Sequence, residues 1–193
     1  ALASVTPNIK IVVTTYFEHS NEATKVLVNT PIWAIGLDFI HGNKNLEILE
    51  FIKNSNKVLI AGVIDGRNIW KSNFQSKIQL LNKVSKIINK ENIIVSTSCS
   101  LLHVPFTLKY EDNLDKEIKS WLAFANEKLQ ELSLVSKQFF DFKLNLDEIS
   151  VIRKNAEENN QRKISSKIHN IKIQDEIKNL KTFERADKFQ DRI

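Results

Sequence analysis

Methionine is absent from the 193 residues, cysteine occurs once, and there are only four glycines and three prolines. A single cysteine excludes a disulfide framework, so packing must hold the fold together, and it points to a reducing compartment. All four glycines (Gly36, Gly42, Gly62, Gly66) lie in the first part of the chain, and none follows position 66. No glycine loop that would cradle a phosphate occurs, nor H-E-x-x-H, nor G-x-S-x-G. No apolar run approaches the ~18 residues of a membrane span, and no basic stretch followed by an apolar one opens the chain. The chain reads as cytosolic, with no membrane partner. The missing methionine and the plain opening Ala-Leu-Ala-Ser-Val lead us to expect a piece of something longer.

The charge excludes less. Net +5 and a pI near 9.2 are basic, but 23 lysines stand against five arginines, amid many asparagines and isoleucines. A phosphate-reading surface favours arginine, and residues 151–193 mix 11 basic with 7 acidic side chains as a solvated helix does. Nucleic-acid binding is not expected.

What is present is a core and a rhythm. Hydrophobic residues make up 42% of the chain, enough to bury a sizeable interior. Four β-branched runs mark strands at 9–17 (IKIVVTTYF), 32–39 (IWAIGLDF), 57–64 (KVLIAGVI) and 92–97. The third is continuously apolar, the pattern of a strand buried on both faces of a parallel sheet. Between them lie helix signals: Ser20 or Asn21 capping a helix to Val28, Asn43 or Asn45 capping one that carries Leu46, Leu49 and Phe51 or Ile52, and Ser72 or Asn73 capping the stripe Phe74, Ile78, Leu81, Val84, Ile88. Four strand–helix steps imply right-handed crossovers and a parallel sheet, which is half of an eightfold barrel. Beyond Gly66 the chain turns helical. A long helix is expected over 114–140, capped by Asp112 or Asn113, with Ile118, Trp121, Leu122, Ala125, Leu129, Leu132, Val135 and Phe139 on its apolar face. A second is expected over about 146–164. From Ser165 a charged linker with sparse anchors (Ile168, Ile171, Ile177, Leu180, Phe183) holds one more amphipathic helix.

Every strand runs into polar residues: Glu18 and His19, Asp38 and His41, Asp65 and Arg67, Cys99 and His103. Carboxyl ends of parallel strands are where an α/β protein places chemistry. Cys99 and His103 are compatible with a nucleophile and its base, with two metal ligands, or with a packed thiol and a hydrogen-bonded imidazole. A thiolate needs a base or positive charge nearby, structural zinc usually shows four ligands in paired spacings, and free cysteine packs readily as a small hydrophobe. The packed reading is the expectation. Asp65-Gly66-Arg67-Asn68 reads as a tight turn with Asp65 and Arg67 locally paired, or as an anion or acid–base site. Asp38 and His41 suggest a structural hydrogen bond.

At these clusters the sequence resembles cobalamin-independent methionine synthase. The stretches are TTYFE (14–18), GLDFIHG (36–42), GVIDGRNIW (62–70), SCSLLHVP (98–105), KSWLAFANEK (119–128) and KIHN (167–170), in the family's order. The resemblance implies two face-to-face (βα)8 barrels and methyl transfer from 5-methyltetrahydropteroyl-polyglutamate to homocysteine on a zinc-bound thiolate. It implies that this chain is the second half of the amino-terminal barrel (1–145) with a helical linker (146–193) toward the catalytic barrel.

In the family's zinc pattern Cys99 resembles a duplicate of the last-strand cysteine, and Asp38 falls near the place of the glutamate. Val13, Thr14 and Thr15 stand where His-x-Cys would be, and Arg67 where the acid histidine would be. No catalytic, cofactor-binding or metal residue is therefore expected here, and the fragment alone is expected to be inactive. Its partners would be the first half-barrel and the catalytic barrel of the same polypeptide, and in isolation it should self-associate. A stand-alone scaffold or interaction module, or a cysteine-dependent enzyme built on Cys99 and His103, is the alternative.

Overall fold

The computed structural model describes residues 8–180, which fall into two compact units divided after Asn159. The first is a layer of four parallel strands, β1 (Val12–Thr14), β2 (Ala34–Asp38), β3 (Val58–Ile64) and β4 (Ile93–Thr97), in the order β1-β2-β3-β4. Each strand pairs with the next in the chain, so every connection is a crossover of the same kind. The arrangement is α/β, half of a (βα)8 barrel with the sheet left unclosed.

Register explains which residues are buried. Ile35, Leu37, Leu59, Ala61, Val63, Ile93 and Val95 alternate onto one face and form a single core with Leu81, Val84, Val135 and Phe139 of the helices. Each of these larger side chains, Ala61 aside, contributes about 1.5–3 kcal/mol by leaving water. The other face carries Val12, Thr14, Gly36, Ile60, Ile94 and Ser96 in adjacent register. Val12 and Ile94 stay about 40% exposed there (41% and 40%).

The helices of this unit are α1 (Asn21–Leu27), α2 (Leu49–Lys53), α3 (Phe74–Ser85), α4 (Lys116–Ser120) and α5 (Ala125–Phe139). A further helix, α6 (Leu146–Ile164), has the bounds its periodicity predicts and runs across the division between units. Asn73 caps α3 by accepting the Ser76 N–H, and Phe74, Leu81 and Val84 are buried as the stripe requires. In the second unit α7 (Ile171–Lys178) is capped by Asn170. Its Ile171, Ile173 and Ile177 are exposed. Phe183 lies outside the described residues. Among the described residues no helix is long and apolar enough to cross a membrane.

Four expectations need correction. The first strand spans three residues rather than nine, because residues after Thr15 leave the sheet to build a loop: Glu18 takes a φ of 67° and donates its N–H to Asp38. Asn43 and Asn45 cap nothing. Asn43–Leu46 is a 3-10 turn, α2 follows it with Ile52 buried and Phe51 exposed, and Asn45 is buried elsewhere.

The helix expected over 114–140 is two helices. Lys71 donates its N–H to the Trp121 carbonyl at 2.7 Å and Ala123 donates to Ile69 at 2.8 Å, forming a short antiparallel bridge between Trp70 and Leu122. A helix cannot offer those groups sideways, so the chain leaves the helix after Trp121 and α5 restarts at Ala125, with Glu127 accepting the Phe124 N–H at 3.2 Å. Asp115, not Asp112 or Asn113, caps α4.

The last correction is to the apolar face of α5. Leu129 points out, 53% exposed, while Lys128 and Glu131 are buried.

Candidate functional site

Polar residues from all four strand ends do gather at one end of the sheet, but most of them hold one another in place. Asp38 Oδ1 accepts the N–H groups of Ile40 (2.8 Å) and His41 (3.0 Å), and its Oδ2 accepts that of Glu18 at 3.3 Å. A short carboxylate at a strand end does this well, since two backbone donors of its own turn and one of the loop after β1 would otherwise lack partners. Asn45 is the bolt behind it. Its amide donates to the carbonyls of Asp38 (2.8 Å) and Glu18 (2.9 Å), and its oxygen accepts the Ser20 N–H at 3.0 Å. Gly42 must be glycine here: a Cβ would sit 2.4 Å from Asn45 Nδ2 and 2.5 Å from the Asp38 carbonyl oxygen.

Asp65 accepts the Arg67 N–H at 2.8 Å and the Asn68 amide, and His41 Nε2 lies 3.4 Å from it. The tight-turn reading holds, with the pairing made by the backbone of Arg67. Its guanidinium instead stacks 4.3 Å over Phe17, which also meets the edge-on ring of His103 at 5.6 Å and the tilted ring of Tyr16 at 5.8 Å. The strand ends thus carry a stack of His103, Phe17 and Arg67, drawn from three loops.

Cys99 and His103 are not brought together as a nucleophile and base. The thiol is buried at the foot of a groove of about 160 Å³, with Sγ 3.6 Å from the Ser100 carbonyl oxygen. A Cβ on Gly66 would lie 2.9 Å from that sulfur, so the β3 turn packs directly on it. Burial, aided by the nearby carboxylates Asp38 and Asp65, pushes the thiol pKa up. A nucleophilic cysteine needs the opposite.

Zinc does not fit these residues. Among the described residues no group of three or more His, Cys, Asp or Glu could hold a metal ion. The two nearest carboxylates are already taken up by backbone and amide donors.

A second polar cluster, which sequence reasoning missed, lies behind the sheet between α3, α5 and α6. Glu131 Oε1 accepts the Ser72 N–H at 3.0 Å, Asn155 accepts that of Phe74 at 3.2 Å and donates to the Ser72 carbonyl, and Lys71 pairs with Glu158 at 2.5 Å. Lys128, fully buried, donates to the Trp70 carbonyl at 3.1 Å. Burial raises the Glu131 pKa and lowers that of Lys128, each partly offset by the other's charge. The signal was there: stepping back from Phe139 and Val135 by helical spacing lands on 131 and 128. Their charged side chains disguised the stripe.

These groups fix the loop between β3 and α3, so the cluster is architecture rather than chemistry. Comparison with known proteins agrees on what that architecture is. Residues 1–89 match the family described as "Cobalamin-independent synthase, N-terminal domain". Over 191 residues the chain is 45% identical to a protein of Desulforamulus reducens named 5-methyltetrahydropteroyltriglutamate–homocysteine methyltransferase, covering 99% of this chain and 25% of that one. The chain belongs to the cobalamin-independent methionine synthase family. Proteins of the same name from Parvibaculum lavamentivorans and Listeria welshimeri are 33% and 39% identical, covering 93% and 91% of this chain and 24% and 23% of theirs. The chain therefore spans about a quarter of the length of these synthase relatives. Within it lie the strand-end loops that carry the family motifs, TTYFE, GLDFIHG, GVIDGRNIW and SCSLLHVP.

Proposed function

We propose that this chain is the second half of an amino-terminal (βα)8 barrel in a methionine synthase that transfers a methyl group from 5-methyltetrahydropteroyl-polyglutamate to homocysteine. The observation that carries this reading is 45% identity over 191 residues to a protein named for that reaction. On this reading residues 1–145 belong to the barrel, 146–193 lead toward a catalytic barrel, and the working partners are that barrel and the first half-barrel of the same polypeptide. The setting is the cytoplasm.

The chain contributes framework. On this reading the zinc and the folate substrate belong to the catalytic barrel, while here the carboxylates Asp38 and Asp65 hold turns and the one thiol is buried. No step of methyl transfer is assigned to a residue of this segment, and alone it is inactive.

The test is a graft. The 193 residues replace the matching quarter of the Desulforamulus reducens protein, and methionine formation from homocysteine and 5-methyltetrahydropteroyltriglutamate is measured. The chimera is expected to be active and the isolated chain inactive. A chimera that folds by circular dichroism yet transfers no methyl group overturns the reading.

A further inference from the structure

A groove of about 420 Å³ runs beside the buried cluster of Glu131, Ser72 and Asn155. Its walls come from α3, α5, α6 and the segment joining α4 to α5, all between residues 71 and 158, so neither edge of the sheet takes part in it. Phe74, Leu108, Leu122, Leu134 and Val151 line it with hydrocarbon. The first four are buried and Val151 is 49% exposed. Apolar walls of this extent, with a few polar groups among them, are what small-molecule sites are made of.

The carboxylates in the walls are engaged, with one exception. Glu158 pairs with Lys71 at 2.5 Å and with Lys154 at 3.6 Å. Glu127 accepts the Thr107 hydroxyl and the N–H groups of Leu108 and Phe124. Glu131 differs. It is 4% exposed, its Oε1 accepts the Ser72 N–H at 3.0 Å, and its Oε2 has no hydrogen-bond partner among the described residues. The Ser72 hydroxyl and the charges of Lys128 and Lys71 favour the ionised carboxylate without supplying a donor to Oε2. Lys128 directs its ammonium to the Trp70 carbonyl instead. A buried carboxylate oxygen left without a donor is costly.

We infer that the groove binds a small amine with a compact hydrocarbon body, its ammonium group donating to Glu131 Oε2 and its body lying along Phe74, Leu122 and Leu134. An ammonium suits better than a neutral donor, because a charge-assisted hydrogen bond to a carboxylate is about twice as strong. A carboxylate ligand would set acceptor against acceptor. The hydrocarbon walls give no partner to a second charge, so the ligand carries one. The site is independent of the methyl-transfer reading, and failure of either leaves the other standing.

The experiment titrates the 193-residue chain with cyclohexylmethylammonium chloride in mildly alkaline buffer, where carboxylates are ionised and amines still charged. Saturation-transfer NMR of the ring protons reads the binding. A dissociation constant of about 1 mM or tighter is expected, within reach of a ligand of this size. Cyclohexanecarboxylate, of similar shape with an acceptor in place of the donor, should bind at least ~10-fold more weakly. Glu131→Gln keeps an oxygen for the Ser72 N–H and turns an amide donor toward the ammonium, so it too should weaken binding at least ~10-fold. Val151→Trp places an indole in the groove from an exposed position and should abolish binding, which supplies the readout if circular dichroism shows Glu131→Gln unfolded. No saturable binding to the native chain, equal affinity for the ammonium and the carboxylate, or unchanged affinity in either folded variant overturns the proposal.

Discussion

The Asn155 amide donates to the Ser72 carbonyl at 2.8 Å and its oxygen accepts the Phe74 N–H, fastening α6 to the start of α3 across more than 80 residues of sequence. Both backbone groups are buried, so neither has water as a substitute partner.

Removing that amide is expected to be costly. Asn155→Ala leaves the buried Phe74 N–H unsatisfied and the Ser72 carbonyl with only the 3.3 Å bond from the Asn159 amide, for a loss of about 1–3 kcal/mol. Urea unfolding followed by tryptophan fluorescence measures it. An exposed control on the same helix, Glu157→Ala, should change stability by less than about 0.5 kcal/mol.

Asn45→Ala and Gly42→Ala act on the strand-end loops. The first deprives Asp38, Glu18 and Ser20 of their shared partner, at about 2–3 kcal/mol. The second puts a methyl group within 2.5 Å of fixed backbone and should cost at least as much. Comparable midpoints for native and variant in thermal unfolding would contradict the bolt assigned to Asn45.

Cys99 should be a slow thiol. With its sulfur buried under Gly66 and its pKa raised, reaction with an aromatic disulfide reagent at neutral pH is expected to be far slower in the native chain than in denaturant. Cys99→Ala should cost on the order of 1–2 kcal/mol, and Cys99→Asp more, because it buries an unpaired charge. Equal rates in the native and denatured states would return Cys99 to the list of nucleophiles.

The pH dependence of stability should carry the mark of Glu131. Burial raises its pKa in the folded state above the ordinary 4.5, so the folded chain holds that proton more tightly than the unfolded chain does. The stability this contributes is fully present below pH 4.5 and is lost as pH rises through the raised value. Glu131→Gln keeps an acceptor for the Ser72 N–H and cannot ionise. Relative to the native chain the variant should therefore gain stability as pH rises from about 4 to 8. A difference that stays constant across that range would show that Glu131 does not titrate abnormally.

Zinc should bind weakly, below one ion per chain by elemental analysis, with no loss of fold on adding a chelator. Structural zinc is coupled to folding, whereas here the carboxylates nearest Cys99 already hold backbone donors. One ion per chain, released only on unfolding, would overturn that description.

The sequence by itself determined the layer and its rhythm. Runs such as KVLIAGVI are too apolar to sit anywhere but between two covering layers, and four of them separated by helical stripes have few other ways to pack. The strand ends were legible too, since parallel strands bring like ends together whatever the details. The resemblance at TTYFE, GLDFIHG, GVIDGRNIW and SCSLLHVP was likewise present in the residues alone.

Tertiary structure alone decided where polar groups go. Asn45 reads as a helix cap until Glu18, 27 residues away, presents its carbonyl to it beside that of Asp38. Residues 114–140 read as one helix because local propensity cannot register that Ile69 and Lys71 will bond to the backbone of Trp121 and Ala123. Lys128 and Glu131 read as solvent-facing because a charge is expensive to bury unless its partners are in place. Those partners, Trp70 and Ser72, arrive from some 60 residues away. In each case the deciding contact is long-range, and pattern along the chain records only short-range preference.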